Sequence, residues 1–285
     1  LGIGQIYLDE KKMIEYPSLI QIETTSKCQA SCIFCPHKNL KRPLRDMDID
    51  LFKKIIEDCK SFHLTNICPF LNGELFMDKL WFQRLKFINE TLPKIKIDIF
   101  SNMGALDAEK LEKFSEISNL QHFVMSINGY DEKTCRQRTG LNWSLVHANV
   151  LRLVDLNLNK RFIEHLSLSG LDFGPDENIK FLEKWSRLQG LDAMGASSMN
   201  NWKGDALGAR ITREIKYDII CPRSHHLCII ADGRVSLCCM DSNCDFEMGD
   251  LKKQNILEVF NGEKYKKYRT LKKQDLVPCN KCSME

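Results

Sequence analysis

Three cysteines, Cys28, Cys32 and Cys35, stand in the run Lys27-Cys-Gln-Ala-Ser-Cys-Ile-Phe-Cys-Pro36. A C-x3-C-x2-C triplet brings three thiolates to one tight loop. That set suits three corners of a four-iron cubane and leaves one iron without a protein ligand, whereas iron–sulfur clusters are otherwise held by four cysteine thiolates. An open coordination position is where a substrate or cosubstrate binds. A zinc knuckle is the competing reading, although zinc sites more commonly pair C-x2-C or C-x4-C with a distant second pair.

Seven further cysteines lie beyond residue 220: Cys221, Cys228, Cys238, Cys239, Cys244, Cys279 and Cys282. The chain has 285 residues, 13 cysteines and 41 Lys+Arg against 38 Asp+Glu. So balanced a charge gives no electrostatic case for nucleic acid or an anionic membrane as partner. The residues before Tyr16 lack a cationic segment followed by an apolar one, and no long apolar run occurs. A reducing, cytoplasmic setting is therefore expected, with thiols available as ligands and not tied up in disulfides. The basic stretch Lys264–Lys273 reads as a solvated helix face.

The elements that must position these thiols follow from periodicity. Strand-like runs at Leu19–Thr24, Ile67–Leu71, Ile95–Ser101, His122–Asn128, Phe162–Ser169 and Leu191–Ser197 alternate with amphipathic helices. The helices are expected at Asp50–Phe62, Asp78–Glu90, Asp107–Ile117, Trp143–Leu156 and Asp176–Leu188, with Asp107 and Asp176 as N-caps. Six strand–helix repeats predict an α/β fold with a parallel sheet and right-handed crossovers, short of the eight that close a TIM barrel. The Cys28–Cys35 loop then follows the first strand, at the C-terminal edge where such folds gather their chemistry. Beyond residue 210, a hairpin (Ile229–Ala231 and Arg234–Leu237 about Asp232-Gly233) and helices at Asn255–Asn261 and Glu263–Lys273 predict a small α+β unit.

The triplet, with Phe34 just before its third cysteine, resembles the signature of the radical S-adenosylmethionine (radical SAM) enzymes. The resemblance implies a partial (β/α)6 TIM-like barrel and a 4Fe–4S cluster at Cys28, Cys32 and Cys35. SAM would chelate the unique iron and yield a 5′-deoxyadenosyl radical that abstracts a substrate hydrogen. The order Cys221, Gly233-x4-Cys238, Cys279-x2-Cys282 resembles the family's SPASM or twitch extension. It implies one auxiliary 4Fe–4S cluster held by Cys221, Cys238, Cys279 and Cys282, a closed shell that relays electrons. Zinc at the same four thiolates stays open. Implied domains are an extension over 1–17, the barrel over 18–210 and the auxiliary unit over 211–285.

Phe70-Leu-Asn-Gly-Glu-Leu75 is similar to the family's Gly-Gly-Glu-Pro motif, with Leu75 in place of proline. Asn72, Gly73 and Glu74 would then present a bare backbone edge to the methionine ammonium. By the same resemblance Ser101 and Asn102, and Ser126 and Asn128, meet the ribose or carboxylate, and Arg138 pairs with the carboxylate or sits at the surface. Cys239 and Cys244 are spare thiols, either small buried residues or hydrogen-atom donors. Glu164, His165, Asp172 and Trp202 fall where substrate contacts would lie. The reaction implied is oxidation or epimerisation of a small polar substrate such as an aminocyclitol or sugar, fed by a flavodoxin- or ferredoxin-like reductant. The alternative is modification of a ribosomally made peptide.

Overall fold

The runs that alternate in the sequence alternate in burial. β3 (Lys96–Ser101) buries Ile97, Ile99 and Ser101 and leaves the intervening residues half-exposed. β4 (Leu120–Ser126) buries Leu120, Phe123 and Met125. A two-residue period, interrupted in β4 by a bulge between the partners of Ile97 and Asp98, places one face of each strand under the helices. The computed structural model describes residues 16–204 and 215–284. The extension expected before residue 16, and the boundary expected at residue 210, lie outside the described residues.

The other strands are β1 (Leu19–Ile22), β2 (Asn66–Cys68), β5 (Ile163–Leu171), β6 (Ala193–Ser197), β7 (His226–Ile229), β8 (Arg234–Ser236) and β9 (Glu247–Asp250). All nine form one sheet in the order β6-β5-β4-β3-β2-β1-β7-β8-β9. β1 through β6 are parallel, neighbour to neighbour. β7 continues the parallel run on the free side of β1, with Ile20 opposite Leu227 and Gln21 opposite Cys228. β8 and β9 then turn back antiparallel. The C-terminal hairpin is thus built onto the barrel sheet, and β1, whose C-terminal end leads into the loop with the cysteine triplet, is paired on both sides.

Helices cover the outer face: α1 (Ile49–Asp58), α2 (Trp81–Thr91), α3 (Ala108–Phe114), α4 (Glu132–Thr139), α5 (Trp143–Lys160) and α6 (Pro175–Trp185). α7 (Ile256–Phe260) and α8 (Glu263–Thr270) follow the hairpin. Phe52, Ile55 and Ile56 of α1 are fully buried with Ile20, Ile22 and Ile67, so the first crossover seals the core beneath the cysteine loop. Among the described residues no helix is long and apolar enough to cross a membrane.

Several boundaries differ from expectation for identifiable reasons. Asp107 caps α3, accepting from Lys110 N at 2.9 Å, but the N-cap of α6 is Gly174 and not Asp176. Pro175 takes the first helical position, where its missing N–H costs nothing, and leaves Asp176 in the first turn. α2 begins at Trp81 because Asp78 turns inward to a fully buried Arg84, Oδ2 to Nε 2.7 Å. α4 and β9 went unread. α4 has almost no apolar stripe, only end signals: an Asp131/Thr134 capping box and Gly140 at φ 71°. The basic stretch is not a fully solvated face either, since Tyr265, Arg269 and Lys273 are buried.

One ion pair ties the first loop to the C-terminal unit. Arg42 donates to both carboxylate oxygens of Glu23 at 2.7 and 2.5 Å, and its Nε reaches Ser242 O at 2.7 Å. Glu23 is 0% exposed and also accepts from Ala231 N at 2.9 Å. Removing one partner strands a buried charge, which costs about 3–5 kcal/mol. Arg42→Ala is accordingly expected to lose stability on that scale in denaturant unfolding; a change below about 1 kcal/mol, the ceiling for exposed pairs, would contradict the geometry.

Candidate active site and cysteine centres

The loops leaving the C-terminal ends of the parallel strands enclose a cavity of ≈ 260 Å³. Cys28, Cys32 and Cys35 all line it. Their loop is fixed by backbone: Ser31 N donates to Thr139 O at 2.8 Å and Ile33 N to Arg138 O at 3.0 Å, both at the end of α4. A Cβ on Gly140 would fall 2.2 Å from Ser31 Oγ, so only glycine lets the helix end approach. The unread helix is therefore the loop's support.

From the other side the loop rests on the Asn72-Gly73-Glu74 turn. A Cβ at Gly73 would sit 2.1 Å from Thr25 O, and Glu74 N donates to Lys27 O at 2.8 Å. The turn thus packs its Cα side on the cysteine loop while Asn72 and Gly73 also border the cavity. Glu74 is buried, accepting from Ser101 Oγ at 2.9 Å and Asn102 N at 2.8 Å, and clamps the ends of β2 and β3 together. It does not line the cavity, whereas Asn72, Gly73, Ser101, Asn102, Ser126, Asn128 and Phe34 do. Arg138 does not line it either. Its guanidinium pairs with Glu177, donates to Asn128 O at 3.3 Å and lies 3.9 Å over Phe173, so its charge is already engaged.

The donor chemistry fits an iron–sulfur cluster with one polar ligand beside it. Burial pushes the Cys28 thiol up to about 12, and burial together with the neighbouring sulfurs pushes Cys32 up further. Burial raises Cys35 as well. Such thiols stay protonated at neutral pH until a cation compensates them, and binding then expels their protons. Asn102 Nδ2 lies 3.6 Å from Cys28 Sγ, the contact a bound thiolate accepts. The Nδ2 of Asn72 is buried without a hydrogen-bond partner, a donor left over for a ligand in the cavity. Stacked Phe70 and Phe100 rings, 5.6 Å apart, supply an apolar wall.

A second, smaller cavity is lined by Cys221, Cys238, Cys279 and Cys282 together. Sequence positions 221 to 282 meet there because β7 and β8 pair beside β1 and the 3-10 turn Cys279–Lys281 folds back over them. Burial, then neighbouring sulfurs, pushes Cys279 up to about 12; burial raises Cys221 and holds Cys238 far above the ordinary thiol range. Lys273 is the residue that the sequence reading missed. Its buried ammonium donates to Cys282 O at 3.0 Å and Met284 O at 2.6 Å and lines this cavity, a fixed positive charge beside four potential thiolates. Its place within a basic run hid it. Asp241, fully buried, shapes the loop bearing Cys238 by accepting from Ser236 Oγ and Phe246 N, each at 3.0 Å.

Neither Cys239 nor Cys244 lines the substrate-sized cavity. Both pack with Leu71, Cys228 and Ile230. A hydrogen bond from the Cys228 thiol holds Cys239 down at about 7, while burial raises Cys244 to about 12. Of the four loosely placed candidates, Trp202 lines the cavity. Glu164 instead pairs with Lys96 at 2.7 Å, His165 stacks on His122, and Asp172 accepts from Gly174 N and Asn178 Nδ2, each at 2.8 Å.

A partial parallel barrel with three cysteines of one loop at one cavity and four more at a second has the donor groups that iron–sulfur clusters take. Residues 22–185 match the model of the radical SAM superfamily, and residues 221–283 match that of SPASM, an iron–sulfur cluster-binding domain. The chain belongs to the radical SAM superfamily. It carries a SPASM-type C-terminal region, and its cofactors are a 4Fe–4S cluster with SAM and an auxiliary iron–sulfur cluster. It is 21% identical over 260 residues to S-adenosyl-L-methionine-dependent 2-deoxy-scyllo-inosamine dehydrogenase of Niallia circulans, covering 90% of this chain and 87% of that protein. The crystal structure of BtrN in complex with AdoMet and 2-DOIA superposes with a TM-score of 0.68 at 20% identity, over 95% of this chain and 94% of BtrN. Streptococcus suis SuiB bound to precursor peptide SuiA gives 0.71 at 13% identity, over 95% of this chain and 70% of SuiB.

The Glu74 clamp has a pH signature. Burial, only partly offset by the Asn102 and Ser101 hydrogen bonds, raises its pKa from 4.5 to about 7. Between those values the folded protein holds a proton that the unfolded chain releases, so this group's contribution to stability falls as pH rises through the window and is flat above it. The difference in unfolding free energy between wild type and Glu74→Gln should decline from pH 4.5 to 7, by at most about 1.4 kcal/mol per pH unit. A difference that rises across that interval would reverse the assignment.

Proposed function

We propose that this enzyme oxidises a hydroxylated carbon of a small polar substrate, of the sugar or cyclitol class, in a radical reaction. The observation that supports it most is the meeting of the three-thiol loop with the ends of β2 to β5 at one cavity, beside a closed four-thiol site. Cys28, Cys32 and Cys35 would hold the SAM-binding cluster, and Cys221, Cys238, Cys279 and Cys282 the auxiliary one. When bound, the first cluster with SAM supplies a 5′-deoxyadenosyl radical able to take a hydrogen atom from carbon, and the second supplies a one-electron site. The chain's own residues bind, orient and exclude water. Asn72 Nδ2 offers a donor with no competing partner. The Ser126, Asn128 and Ser169 polar groups line the cavity for ribose or substrate hydroxyls. The Phe34, Phe70 and Phe100 rings shield the reacting carbon from water.

The substrate class is supported by the dehydrogenase relative, which matches this chain over most of both lengths. Modification of a peptide is the second reading, favoured by the backbone likeness to SuiB with its precursor peptide. A reducing, cytoplasmic setting with a flavodoxin- or ferredoxin-like electron donor accords with thirteen cysteines outside any disulfide.

Anaerobic reconstitution followed by dithionite and SAM tests the reading. Wild type should bind about eight irons, two cubanes' worth, and form 5′-deoxyadenosine, with deuterium passing into it from a labelled cyclitol. Cys28→Ala should abolish 5′-deoxyadenosine. Cys279→Ala should keep it and lose the oxidised product. Zinc in the first site, or full product from Cys279→Ala, would sink the assignment; deuterium arriving only from a peptide would move it to the second reading.

A further inference from the structure

Between the two cysteine centres runs a short segment, 199–203, that neither centre's ligand set includes. Met199, Asn200 and Trp202 line the substrate-sized cavity. Trp202 also packs against the cluster of Met240, Cys282 and Met284, as do Cys238 and Cys239. One indole therefore forms part of the wall between the cavity of the three-thiol loop and the four-thiol site.

The segment is held there on both flanks of Trp202. Asn201 N donates to Ser283 Oγ at 2.8 Å, Asn201 Nδ2 donates to Lys281 O at 2.7 Å, and Asn201 Oδ1 accepts from Ser283 N at 2.9 Å. Lys281 and Ser283 are the two residues that bracket Cys282. On the other flank the buried Lys203 ammonium reaches Asp245 at 3.1 Å and Asp241 at 3.8 Å, the carboxylates of the loop that carries Cys238. Trp202 and Lys203 both take left-handed backbone, φ 47° and 55°, unfavourable for bulky side chains without enforcement by surrounding contacts. The clamp supplies that enforcement.

We infer that Trp202 is a substrate-facing, specificity-determining residue, and that Asn201 positions it by reading the order of the auxiliary site. A metal held at Cys282 fixes Lys281 and Ser283; those fix Asn201; Asn201 fixes the indole. The auxiliary unit then shapes the substrate cavity, a role separate from electron transfer. An indole face suits the C–H side of a hydroxylated ring, whose apolar hydrogens pack on an aromatic plane while its hydroxyls turn to Ser126, Asn128 and Ser169. The inference rests on the proposed ligand role of Cys282.

The test uses the full chain labelled with 5-fluorotryptophan and reconstituted with both clusters, observed by fluorine NMR. The chain has four tryptophans, and Trp202→Phe identifies the signal of interest. Asn201→Ala should retain the full iron content yet shift or broaden the Trp202 resonance while leaving those of Trp81, Trp143 and Trp185 in place. Cys282→Ala should lose about half the iron and disturb the same resonance. A Trp202 signal in Asn201→Ala indistinguishable from wild type would overturn the positioning role. Loss of half the iron in Cys282→Ala without any change at Trp202 would overturn the link to the auxiliary site. Full iron in Cys282→Ala would instead count against Cys282 as a ligand, and so against the earlier reading and the link together. For specificity, Trp202→Ala should weaken the deuterium transfer from a labelled cyclitol at least tenfold in KM with less effect on kcat; an unchanged KM would remove Trp202 from the substrate wall.

Discussion

A carboxylate with no exposed surface, Glu23, sits where the first strand ends, and the relation between the two cysteine centres depends on how its charge is answered. Arg42 answers it from the loop after the cysteine triplet, and Ala231 N from the hairpin of the C-terminal unit. The same guanidinium reaches Ser242 O, and Lys41 N reaches Asn243 Oδ1 at 2.7 Å, so one loop is stitched to the other. A buried charge tolerates few alternative arrangements, because each would strand it in a medium that solvates it poorly. The pair thus contributes registry: it fixes how the open site lies against the closed one.

Two parallel partners for β1 extend the constraint into the sheet. Ordinarily the first strand of a partial barrel leaves an edge on one side, an invitation to mispairing. Here β7 takes that edge, and the rows Cys68–Gln21–Cys228 run across three strands on one face. Cys228 Sγ lies 3.4 Å from Gln21 Oε1, a buried polar contact across the β1–β7 pair. Chemistry and fold share the strand, which explains why small changes around it are expected to disturb clusters and stability together.

Support for the reactive loop comes from residues with no reactive function. Gly73 and Gly140 matter through the absence of a side chain: at Gly73 a Cβ would collide with the backbone leading into the cysteine loop, and at Gly140, in left-handed backbone, with the Ser31 hydroxyl. Glu74 matters through burial, holding β2 to β3 directly behind the loop. Placing an open metal site on a loop clamped by a helix end, a turn and a strand junction keeps the thiols at fixed separation while leaving the cavity side free.

The thiol spacing, the strand–helix alternation, the hairpin at Asp232-Gly233 and the aromatic Phe34 are legible in the linear sequence, because each is written in local order or period. It also placed Asn72, Ser101, Asn102, Ser126 and Asn128 at strand ends, and position along a parallel strand is enough to bring them to one cavity. Which groups remain available there depends on long-range packing. Glu74 is consumed by neighbouring strand ends and Arg138 by Glu177, while Gly73 packs on the loop beneath it and still lines the cavity, since burial and pairing depend on partners far away in the chain. Lys273 and Trp202 were decided the same way: a lysine in a basic run and a tryptophan in a connecting segment carry no local mark of their place. Contacts between separated parts of the chain, Asn201 with Lys281 and Ser283 and Lys273 with Cys282 O, bring them against the cysteines.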